Sequence, residues 1–406
     1  MTQEQAAFTM IDDRPARRNV LLLAVAGSLC SAVTVMLFGS AGLVGTVLAP
    51  DRAWATLPLT AFVTGTLIAS FPSAMLMKRF GRKPVFIGGA VTGLVGTALA
   101  AQAIIWGHFG LFVAACALQG VYQATANYYR FAAADAASDE FRPRAISWVL
   151  TGGVAAAFLG TLIVMGTAKL LDPFMFAASY LTGAGLAILA MPVLAALSVP
   201  PPVEIKLGEE GRALPQILRD PRFLAAMLSG MISYGLMNLV MTASPIAMVD
   251  CGLTVNDAAF ALQWHVLAMY VPSFFTGGLI TRFGAARITA AGLFLLGAAG
   301  VVALSGIAFH HFAIALILLG LGWNFGFIGA TALLTGCYSP AERDRAQGIN
   351  EFAISATVAF ASLSSGKILA AAGWSAVNLT VFPAVAISLA LLLWLQSRPG
   401  PVSTRT

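Results

Sequence analysis

The fold of this chain is decided by two similar stretches, SAMLMKRFG at residues 73–81 and TGGLITRFG at residues 276–284. Each stretch closes an apolar segment with an arginine, a phenylalanine and a glycine. The second phenylalanine, Phe283, follows the first, Phe80, by 203 positions, which is half of the 406 residues. This spacing predicts two parallel halves built on the same plan.

The composition places both halves in a membrane. Hydrophobic residues make up 59% of the chain and charged residues 10%, whereas soluble domains carry about 25% charged residues. The mean hydropathy of +0.85 leaves no room for a large soluble domain. These values exclude a secreted enzyme, a nucleic-acid-binding protein and a disulfide scaffold. The net charge of +6 is typical of a membrane protein whose cytoplasmic loops carry excess Lys and Arg.

Twelve apolar segments are each long enough to cross a bilayer, which takes about 20 residues. They lie at residues 19–48, 54–77, 84–106, 109–134, 145–169, 174–198, 222–249, 255–280, 287–309, 311–337, 351–371 and 374–396. The 40 glycines of the chain favour close helix packing in lipid. No segment alternates with the period of two that a β-barrel requires. The sequence therefore predicts an all-α membrane protein with twelve transmembrane helices.

A polar break divides these segments six and six. It predicts an N-terminal half at 1–198, a cytoplasmic linker at 199–221 and a C-terminal half at 222–406. With the N-terminus inside, 20 of the 23 Lys and Arg residues lie on the cytoplasmic side, and the exceptions are Arg52, Lys169 and Lys367. This asymmetry predicts that both termini are cytoplasmic, in a multi-pass protein of a bacterial inner membrane.

Residues 74–83, AMLMKRFGRK, resemble the signature G-x-x-x-D-R-x-G-R-K/R of the major facilitator superfamily, and the resemblance covers the full chain. It implies a twelve-helix transporter rather than an enzyme. The loop that it predicts to gate the cytoplasmic side consists of Lys78, Arg79, Gly81, Arg82 and Lys83. Ala74 stands where the family has glycine, and Lys78 where it has aspartate. A lysine cannot stabilise the N-terminus of a facing helix as an aspartate does, so the usual gating contact of this loop is in question.

All 17 carboxylates fall in loops, in tails or near the ends of the predicted helices. Because proton-coupled drug exporters generally need a carboxylate in the central cavity, this placement counts against that function. Arg130 and Asp135, near the inner end of the fourth segment, are predicted to form a structural pair or a gate. Polar residues inside the segments, such as Gln123 and Asn324, are predicted to form hydrogen bonds between helices.

Methionine is concentrated in the seventh segment, which holds five of the chain's 14. Met237 and Met241 lie four positions apart and share a helix face, as do His265 and Met269 in the eighth segment. Counted from the turn between the two segments, these residues lie at two matched levels near the middle of the membrane. Thioether and imidazole groups are soft ligands of the kind that selects Cu(I). The pattern indicates a copper pathway, and ordinary packing of methionine in a core is the alternative.

The two motifs and the sequence around His265 resemble those of CcoA-like copper importers, a family that shares much of its sequence with riboflavin carriers. The resemblance implies copper import across the inner membrane for assembly of cbb3-type cytochrome c oxidase. The copper ligands that it implies are Met237, Met241, His265 and Met269. A minor copper or redox role is predicted for Cys251, Met227 and Met231, and the four cysteines are otherwise expected to be reduced and packed.

Several functions remain open from the sequence alone. In the copper hypothesis the ion is the substrate, the lipid bilayer surrounds the protein and a copper chaperone is a candidate partner. No phosphate-binding loop occurs, so transport is predicted to be secondary, with no organic cofactor, no nucleic-acid partner and a monomeric protein. The alternatives are a riboflavin-like carrier of organic solutes, a proton-coupled drug exporter, and a copper sensor or chaperone with a transporter fold.

Overall fold

A computed structural model describes residues 13–51, 54–198 and 211–397, and every regular element in these ranges is a helix. The N-terminal half holds α1 (Arg14–Leu48), α2 (Leu57–Phe80), α3 (Arg82–Trp106), α4 (Phe109–Ala126), α5 (Tyr129–Asp135), α6 (Arg142–Leu150), α7 (Gly152–Thr167) and α8 (Ala177–Ala195). The rest of the chain holds α9 (Leu214–Ile217), α10 (Pro221–Asp250), α11 (Val255–Tyr270), α12 (Ser273–Phe283), α13 (Ala285–Leu304), α14 (Phe309–Thr335), α15 (Arg343–Leu379) and α16 (Val381–Ser397). The all-α prediction is confirmed.

The two similar stretches at 73–81 and 276–284 adopt the same structure. Gly81 follows α2 with a φ of 83°, and Gly284 follows α12 with a φ of 88°. The backbone N–H of each glycine donates to the last turn of its helix, at 2.8 Å from Met77 O and from Ile280 O. Glycine adopts this left-handed backbone at little cost, so both sharp turns depend on it.

The arginines beside these turns mark one end of the molecule. Arg79 lies over the ring of Phe80 and Arg282 over that of Phe283, each at 5.1 Å. We call this side of the helix bundle the basic end. The shared geometry supports the parallel repeat that the sequence predicts.

Ten of the described helices are long and apolar enough to cross a membrane, or eleven when the bent pair α11 and α12 counts as one span. In this count α4 joins α5, and α6 joins α7. The stretch Arg343–Leu395, 53 residues long, counts once. The predicted number of twelve therefore depends on dividing that stretch.

The stretch Arg343–Leu395 turns at Gly373, where φ is 78°. Just beyond the turn, the indole N–H of Trp374 donates to Ala303 O (3.2 Å) at the end of α13 that is remote from the basic end. Further along, Ser388 pairs with Ser229 of α10 at 3.0 Å, closer to the basic end. The chain thus returns along α16, as the predicted eleventh and twelfth segments require.

Small residues let the helices approach closely. A Cβ at Gly65 of α2 would lie 2.2 Å from the backbone oxygen of Ala117 in α4. A Cβ at Gly292 of α13 would lie 2.2 Å from the backbone nitrogen of Gly326 in α14. Both distances exclude a side chain, which is the packing that glycine-rich helices permit in lipid.

The two halves contact each other near the basic end. Ser70 of α2 and Ser355 of α15 form a hydrogen bond of 3.1 Å. Ser147 of α6 donates to the backbone oxygen of Ser273, the first residue of α12. These contacts close the space between the halves on that side.

The helix boundaries differ from the predicted segments in three ways. The fourth, fifth and eighth segments are interrupted, and α15 begins at Arg343, eight residues before the predicted start of the eleventh segment. The predicted linker contains the short helix α9, and α10 already begins at Pro221. Residues 1–12, 52–53, 199–210 and 398–406 lie outside the described part of the chain.

A candidate substrate-binding cavity

Three helix interruptions surround the middle of the molecule. They separate α4 from α5 at residues 127–128, α6 from α7 at Thr151, and α11 from α12 at residues 271–272, where the axis bends by 42°. Pro272 explains the last break, because proline cannot donate the hydrogen bond that continues a helix. Interrupted backbone is tolerated at membrane depth where it is buried in protein or lines a cavity.

A cavity of about 90 Å³ lies beside these interruptions, and its empty space is about 660 Å³ when its open mouth is included. Both halves contribute to its wall. Its lining consists of Gly27, Ser31, Gln123, Ala126, Asn127, Tyr129, Arg130, Val149, Leu150 and Gly153 from the N-terminal half, and Tyr234, Tyr270, Trp323, Phe327 and Glu351 from the C-terminal half.

The wall from the C-terminal half is aromatic. Trp323 and Phe327 of α14 stack with ring centroids 5.2 Å apart and planes 14° apart. Tyr234 of α10 meets both rings edge-on at 5.5 and 5.2 Å, and Tyr270 meets Trp323 at 5.7 Å. The indole N–H of Trp323 is buried and has no hydrogen-bond partner. This wall thus consists of closely packed rings, with Trp323 2% and Phe327 3% exposed, together with a buried donor that has no partner.

The wall from the N-terminal half is small and polar. Gly27, Ser31 and Gly153 leave space, and Gln123 supplies an amide. That amide is already engaged, because it accepts from Thr34 Oγ1 (2.8 Å) and donates to Asn127 Oδ1 (2.9 Å). The predicted role of Gln123 in hydrogen bonding is therefore confirmed, although its hydrogen bond to Asn127 lies at the cavity wall.

One buried ion pair crosses the cavity from one half to the other. Arg130 of α5 donates to Glu351 of α15, and the two residues are 5% and 1% exposed. Arg130 also donates to Asn127 O (2.8 Å) and lies over the rings of Phe131 and Phe327 at 4.6 and 4.5 Å. We call Arg130 and Glu351 the cavity pair.

The cavity pair corrects two expectations. Glu351 lies at the very start of a predicted segment, but the helix begins eight residues earlier and carries this carboxylate to the cavity wall. A buried acid is therefore present on the central path. Arg130 and Asp135 do not pair with one another as predicted, since Arg130 contacts Glu351 and Asp135 contacts Arg82.

Asp135 belongs to a second cluster, at the basic end. Arg82 of α3 donates to Asp135 and, at 2.9 Å, to Gln347 of α15. Arg343 of α15 lies 3.6 Å from the same carboxylate. We call Arg82, Asp135, Arg343 and Gln347 the basic-end network. This network joins the two halves, although Lys78 stands where the family has an aspartate.

The other loop residues predicted at this gate lie beside the network. Lys83 donates to Leu197 O at 3.3 Å, which links α3 to the residues after α8. Lys78 and Arg79 are partly to fully exposed in the last turn of α2. Gly81 provides the turn between α2 and α3.

The end of the linker is attached to the C-terminal half by Arg212. Its guanidinium donates to Glu342 Oε1 (2.8 Å) and to Asp220 Oδ2 (2.9 Å), and it also donates to Cys337 O (2.7 Å). Hydrogen bonds from Arg212 lower the pKa of the Glu342 carboxyl to about 2, and its partners raise the pKa of Arg212. This attachment fixes residues 211–220 against the basic end.

The predicted copper ligands lie in the core of the C-terminal half. Met237 and Met269 are buried there and Met241 packs against the same core, while none of these side chains lines the cavity. We call these three methionines and His265 the soft layer. Their convergence on one ion stays a prediction.

His265 is fully buried and bonds to a neighbouring helix. Its Nδ1 lies 2.7 Å from Leu316 O of α14, and its Nε2 has no partner. A Cβ at Gly320 would lie 2.6 Å from His265 O, so α11 and α14 are in close contact here. The imidazole is thus held by α14.

The remaining copper candidates are scattered. Met227 is buried in another core cluster, Met231 lies between two clusters, and Cys251 packs at the edge of the C-terminal core. All four cysteines of the described residues are free. Within the described ranges no three His, Cys, Asp or Glu side chains form a group that could hold a metal ion.

The aromatic wall is not among the sites predicted from the sequence. Trp323 and Phe327 lie four positions apart in the tenth segment, the spacing that places two side chains on one helix face. Tyr270 precedes Pro272 by two positions. These were available signals, but aromatic residues are common in membrane helices, and only the structure shows that several helices turn them to one cavity.

The chain is similar to known transporters over nearly its whole length. A family model described as Major Facilitator Superfamily matches residues 21–262 and 226–406. The riboflavin transporter RfnT of Brucella anthropi is 45% identical over 386 residues, which is 95% of this chain and 97% of that protein. YddS of Bacillus subtilis, an uncharacterized MFS-type transporter, is 26% identical over 94% of this chain and 93% of its own length.

A solved structure shows the same fold. The structure of FucP from E. coli, a Major Facilitator Superfamily transporter in the outward conformation, matches with a TM-score of 0.77 at 16% identity. The match covers 95% of this chain and 100% of FucP.

Proposed function

We propose that this chain, which belongs to the Major Facilitator Superfamily, carries riboflavin or a closely related flavin across the membrane. The family establishes a secondary transporter and not an enzyme. The substrate is the new part of the proposal. It replaces copper, the main hypothesis from the sequence, with the organic-solute alternative.

The stacked pair of Trp323 and Phe327 is the observation that carries this proposal. A flavin has a flat aromatic ring system, and aromatic side chains bind such rings by stacking, worth about 1–3 kcal/mol per ring. Tyr234 and Tyr270 extend the apolar surface around the pair. The cavity is open at its mouth, and the sugar-alcohol chain would extend in that direction.

The polar groups of the cavity suit the carbonyl-rich edge of a flavin. The unpartnered N–H of Trp323 and the unpartnered Nε of Arg130 are both buried donors. A buried donor without a partner is costly, and a substrate that accepts from it recovers that cost. A flavin offers carbonyl oxygens and ring nitrogens as acceptors.

The 45% identity to a riboflavin transporter supports the same substrate. It extends over nearly all of both chains, so the cavity and its walls fall inside the compared region. No comparison favours copper, and none of the soft-layer side chains lines the cavity. The copper hypothesis therefore stays an untested prediction.

The proposed direction is import into the cytoplasm of a bacterium. Most Lys and Arg residues of the described ranges lie at the basic end or beside it, and by the positive-inside rule this supports a cytoplasmic location for that end. The halves contact one another at that end, so the cavity would open outward in this state. Arg130 belongs to the cavity rather than to a cytoplasmic loop, but the charge asymmetry does not depend on it.

Counterflow in proteoliposomes tests this function. Vesicles with the purified protein are loaded with riboflavin and diluted into labelled riboflavin, and exchange should exceed that of empty vesicles. Trp323→Ala should reduce exchange strongly. The matched control is Trp264→Ala, because Trp264 is 46% exposed on α11 and does not line the cavity.

Copper uptake by the same vesicles provides the opposing result. Wild-type vesicles that take up copper but show no riboflavin exchange would overturn the proposal. Equal losses of exchange in both tryptophan variants would also contradict the assigned site.

A further inference from the structure

We propose that Glu351 recognises the imide group of the flavin, C(=O)–NH–C(=O), by accepting the hydrogen bond of its N–H. This group forms one edge of the flavin ring system and holds the only N–H of the oxidised ring. The role of Glu351 rests on the proposed function and makes this residue a determinant of substrate specificity. The carrier then selects flat aromatic rings that have an imide edge.

One oxygen of the Glu351 carboxylate has no partner in the protein. Glu351 lines the cavity and is 1% exposed. Arg130 and Asn350 both donate to its Oε1, the latter at 3.0 Å. No hydrogen bond from the described residues reaches Oε2. A carboxylate accepts with both oxygens, and a buried acceptor left unused is costly. Oε2 is therefore the atom that a ligand in the cavity can use.

The hydroxyl groups near Glu351 do not supply the missing donor. Tyr128 is close enough to interact with it electrostatically, but its hydroxyl donates to Ser70 O (2.7 Å). Ser355, one turn after Glu351, bonds to Ser70 Oγ (3.1 Å). Tyr234 also lies within electrostatic reach and forms no hydrogen bond with Glu351. A substrate N–H can thus bond to Oε2 without displacing a protein donor.

Two donors at the cavity wall complement this acceptor. Arg130 Nε is buried and has no partner. Asn127 accepts from Gln123 Nε2 with its Oδ1 (2.9 Å) and from Arg130 Nη1 with its backbone oxygen (2.8 Å). Among the described residues no hydrogen bond uses Asn127 Nδ2. The acceptors of Asn127 are therefore occupied, while its amide N–H groups remain available.

A chain of hydrogen bonds fixes the orientation of the Asn127 amide. The Thr34 hydroxyl lies 2.8 Å from Gln123 Oε1 and 3.3 Å from Cys30 O, so the shorter bond to glutamine takes its proton. Gln123 accepts on that side and has to turn its Nε2 towards Asn127. Asn127 in turn presents Nδ2, and not Oδ1, as its free group.

An imide matches this set of one acceptor and two donors. Its N–H donates to Glu351 Oε2, and its two carbonyl oxygens can accept from Arg130 Nε and Asn127 Nδ2. Pairing with Arg130 favours the ionised form of Glu351, and a hydrogen bond to an ionised group is stronger than one between neutral groups. A site built to hydrogen-bond one group discriminates against analogues that lack it, because its own polar atoms are then left unpaired.

Binding of N3-methylriboflavin tests this role. The methyl group replaces the imide hydrogen and leaves the rest of the molecule unchanged. Quenching of flavin fluorescence by the purified wild-type protein measures Kd for riboflavin and for the methylated analogue. Loss of a hydrogen bond to a charged group should raise Kd by about 10- to 150-fold.

Glu351→Ala removes the acceptor and leaves room for the methyl group. Riboflavin should bind more weakly to this variant, and the Kd values of the two ligands should become similar. Glu351→Gln is the second variant, in case the alanine protein does not fold. Its Oε1 keeps the bond from Arg130, so an amide donor takes the place of Oε2. Riboflavin should again lose affinity, while N3-methylriboflavin should not.

Glu140→Gln is the matched control, because Glu140 is an exposed acid in the loop after α5. This variant should retain the wild-type Kd for both ligands. Each protein is checked for monodispersity before binding is measured.

The outcomes separate the two proposals. Wild-type protein that neither binds nor exchanges riboflavin contradicts the flavin function itself. Riboflavin binding with an equal Kd for the methylated analogue overturns recognition of the imide N–H alone. A difference between the two ligands that persists unchanged in the Glu351 variants overturns the role of Glu351.

Discussion

The central cavity and the soft layer offer two different kinds of chemistry in one molecule. The cavity contains a buried ion pair, stacked rings and donors without partners, and it has an open mouth. The soft layer contains three thioethers and an imidazole in the packed core of the C-terminal half, with His265 held by α14. The first region has several unpartnered donors beside an open cavity, while the second is packed around one unpartnered atom, His265 Nε2.

The difference shows why residue type alone does not identify a substrate. Methionine is a soft ligand and also an adaptable core residue, and position decides between the two roles. Charged groups inside a membrane protein are expensive and are retained for function. The cavity pair is therefore the stronger sign of a functional site.

Removal of Arg130 should have the largest effect, because Arg130 lines the cavity and forms its buried ion pair. In Arg130→Ala, Glu351 loses its partner, and removing one member of a buried ion pair costs about 3–5 kcal/mol. We expect uptake to fall by more than about 100-fold with a clear loss of thermal stability. The measurements are initial uptake rates and melting temperatures of the purified protein.

A double variant separates stability from function. Arg130→Ala combined with Glu351→Gln leaves no unpaired charge, so it should recover most of the lost melting temperature without recovering transport. Recovery of transport as well would mean that the cavity pair has only a structural role.

Removal of Trp323 should have the second largest effect. Trp323→Ala deletes one ring of the stacked pair, and about 1–3 kcal/mol of stacking corresponds to an increase in Kd of about 5- to 150-fold. Trp323→Phe should retain most of the affinity. Quenching of flavin fluorescence on binding measures Kd, and an unchanged Kd in Trp323→Ala would contradict an aromatic site.

A substitution remote from both the cavity and the soft layer serves as a control for effects on stability alone. Glu342→Gln weakens the attachment of Arg212 and should lower the melting temperature by about 2–4 °C at pH 7, with flavin affinity unchanged. The folded-state pKa of Glu342 lies near 2, below the ordinary 4.5. Its contribution is therefore complete above pH 4.5 and is lost as the pH falls towards 2.

The difference between wild type and Glu342→Gln should accordingly shrink as the pH is lowered from 5 to 3. Melting curves across this range measure it. A difference that grows in acid would contradict the ionised state of Glu342.

Changes in the soft layer should have the smallest effect on flavin transport. Met237→Leu, Met241→Leu and Met269→Leu preserve volume, and such changes cost less than about 1.5 kcal/mol each. We expect riboflavin uptake within about twofold of wild type. Copper accumulation measured in the same cells distinguishes the two hypotheses, because only the copper hypothesis predicts that these variants lose it.

Much of the fold could be predicted from local features of the chain. Apolar segments of spanning length predict helices, because backbone groups in lipid have to bond within their own segment. The stretches 73–81 and 276–284 predict the repeat, and both turns require glycine at the same position. The boundary of α15 could not be predicted, because the polar residues 343–350 continue the helix outside the apolar segment.

Less of the site could be predicted. Arg130 and Asp135 were correctly selected as residues that form ion pairs, but their partners come from distant positions, Glu351 and Arg82. The aromatic wall combines three separate helices, α10, α11 and α14. Contacts between residues 53 or 221 positions apart leave no periodic signal along the chain.

Hydrophobicity and turn residues act locally along the chain, so the amino-acid sequence alone predicts a helical membrane protein of two similar halves. Tertiary structure decided which polar and aromatic residues face the central cavity. Every side chain of a helix faces another helix, lipid or the substrate. Which of these it faces depends on how the helices pack together.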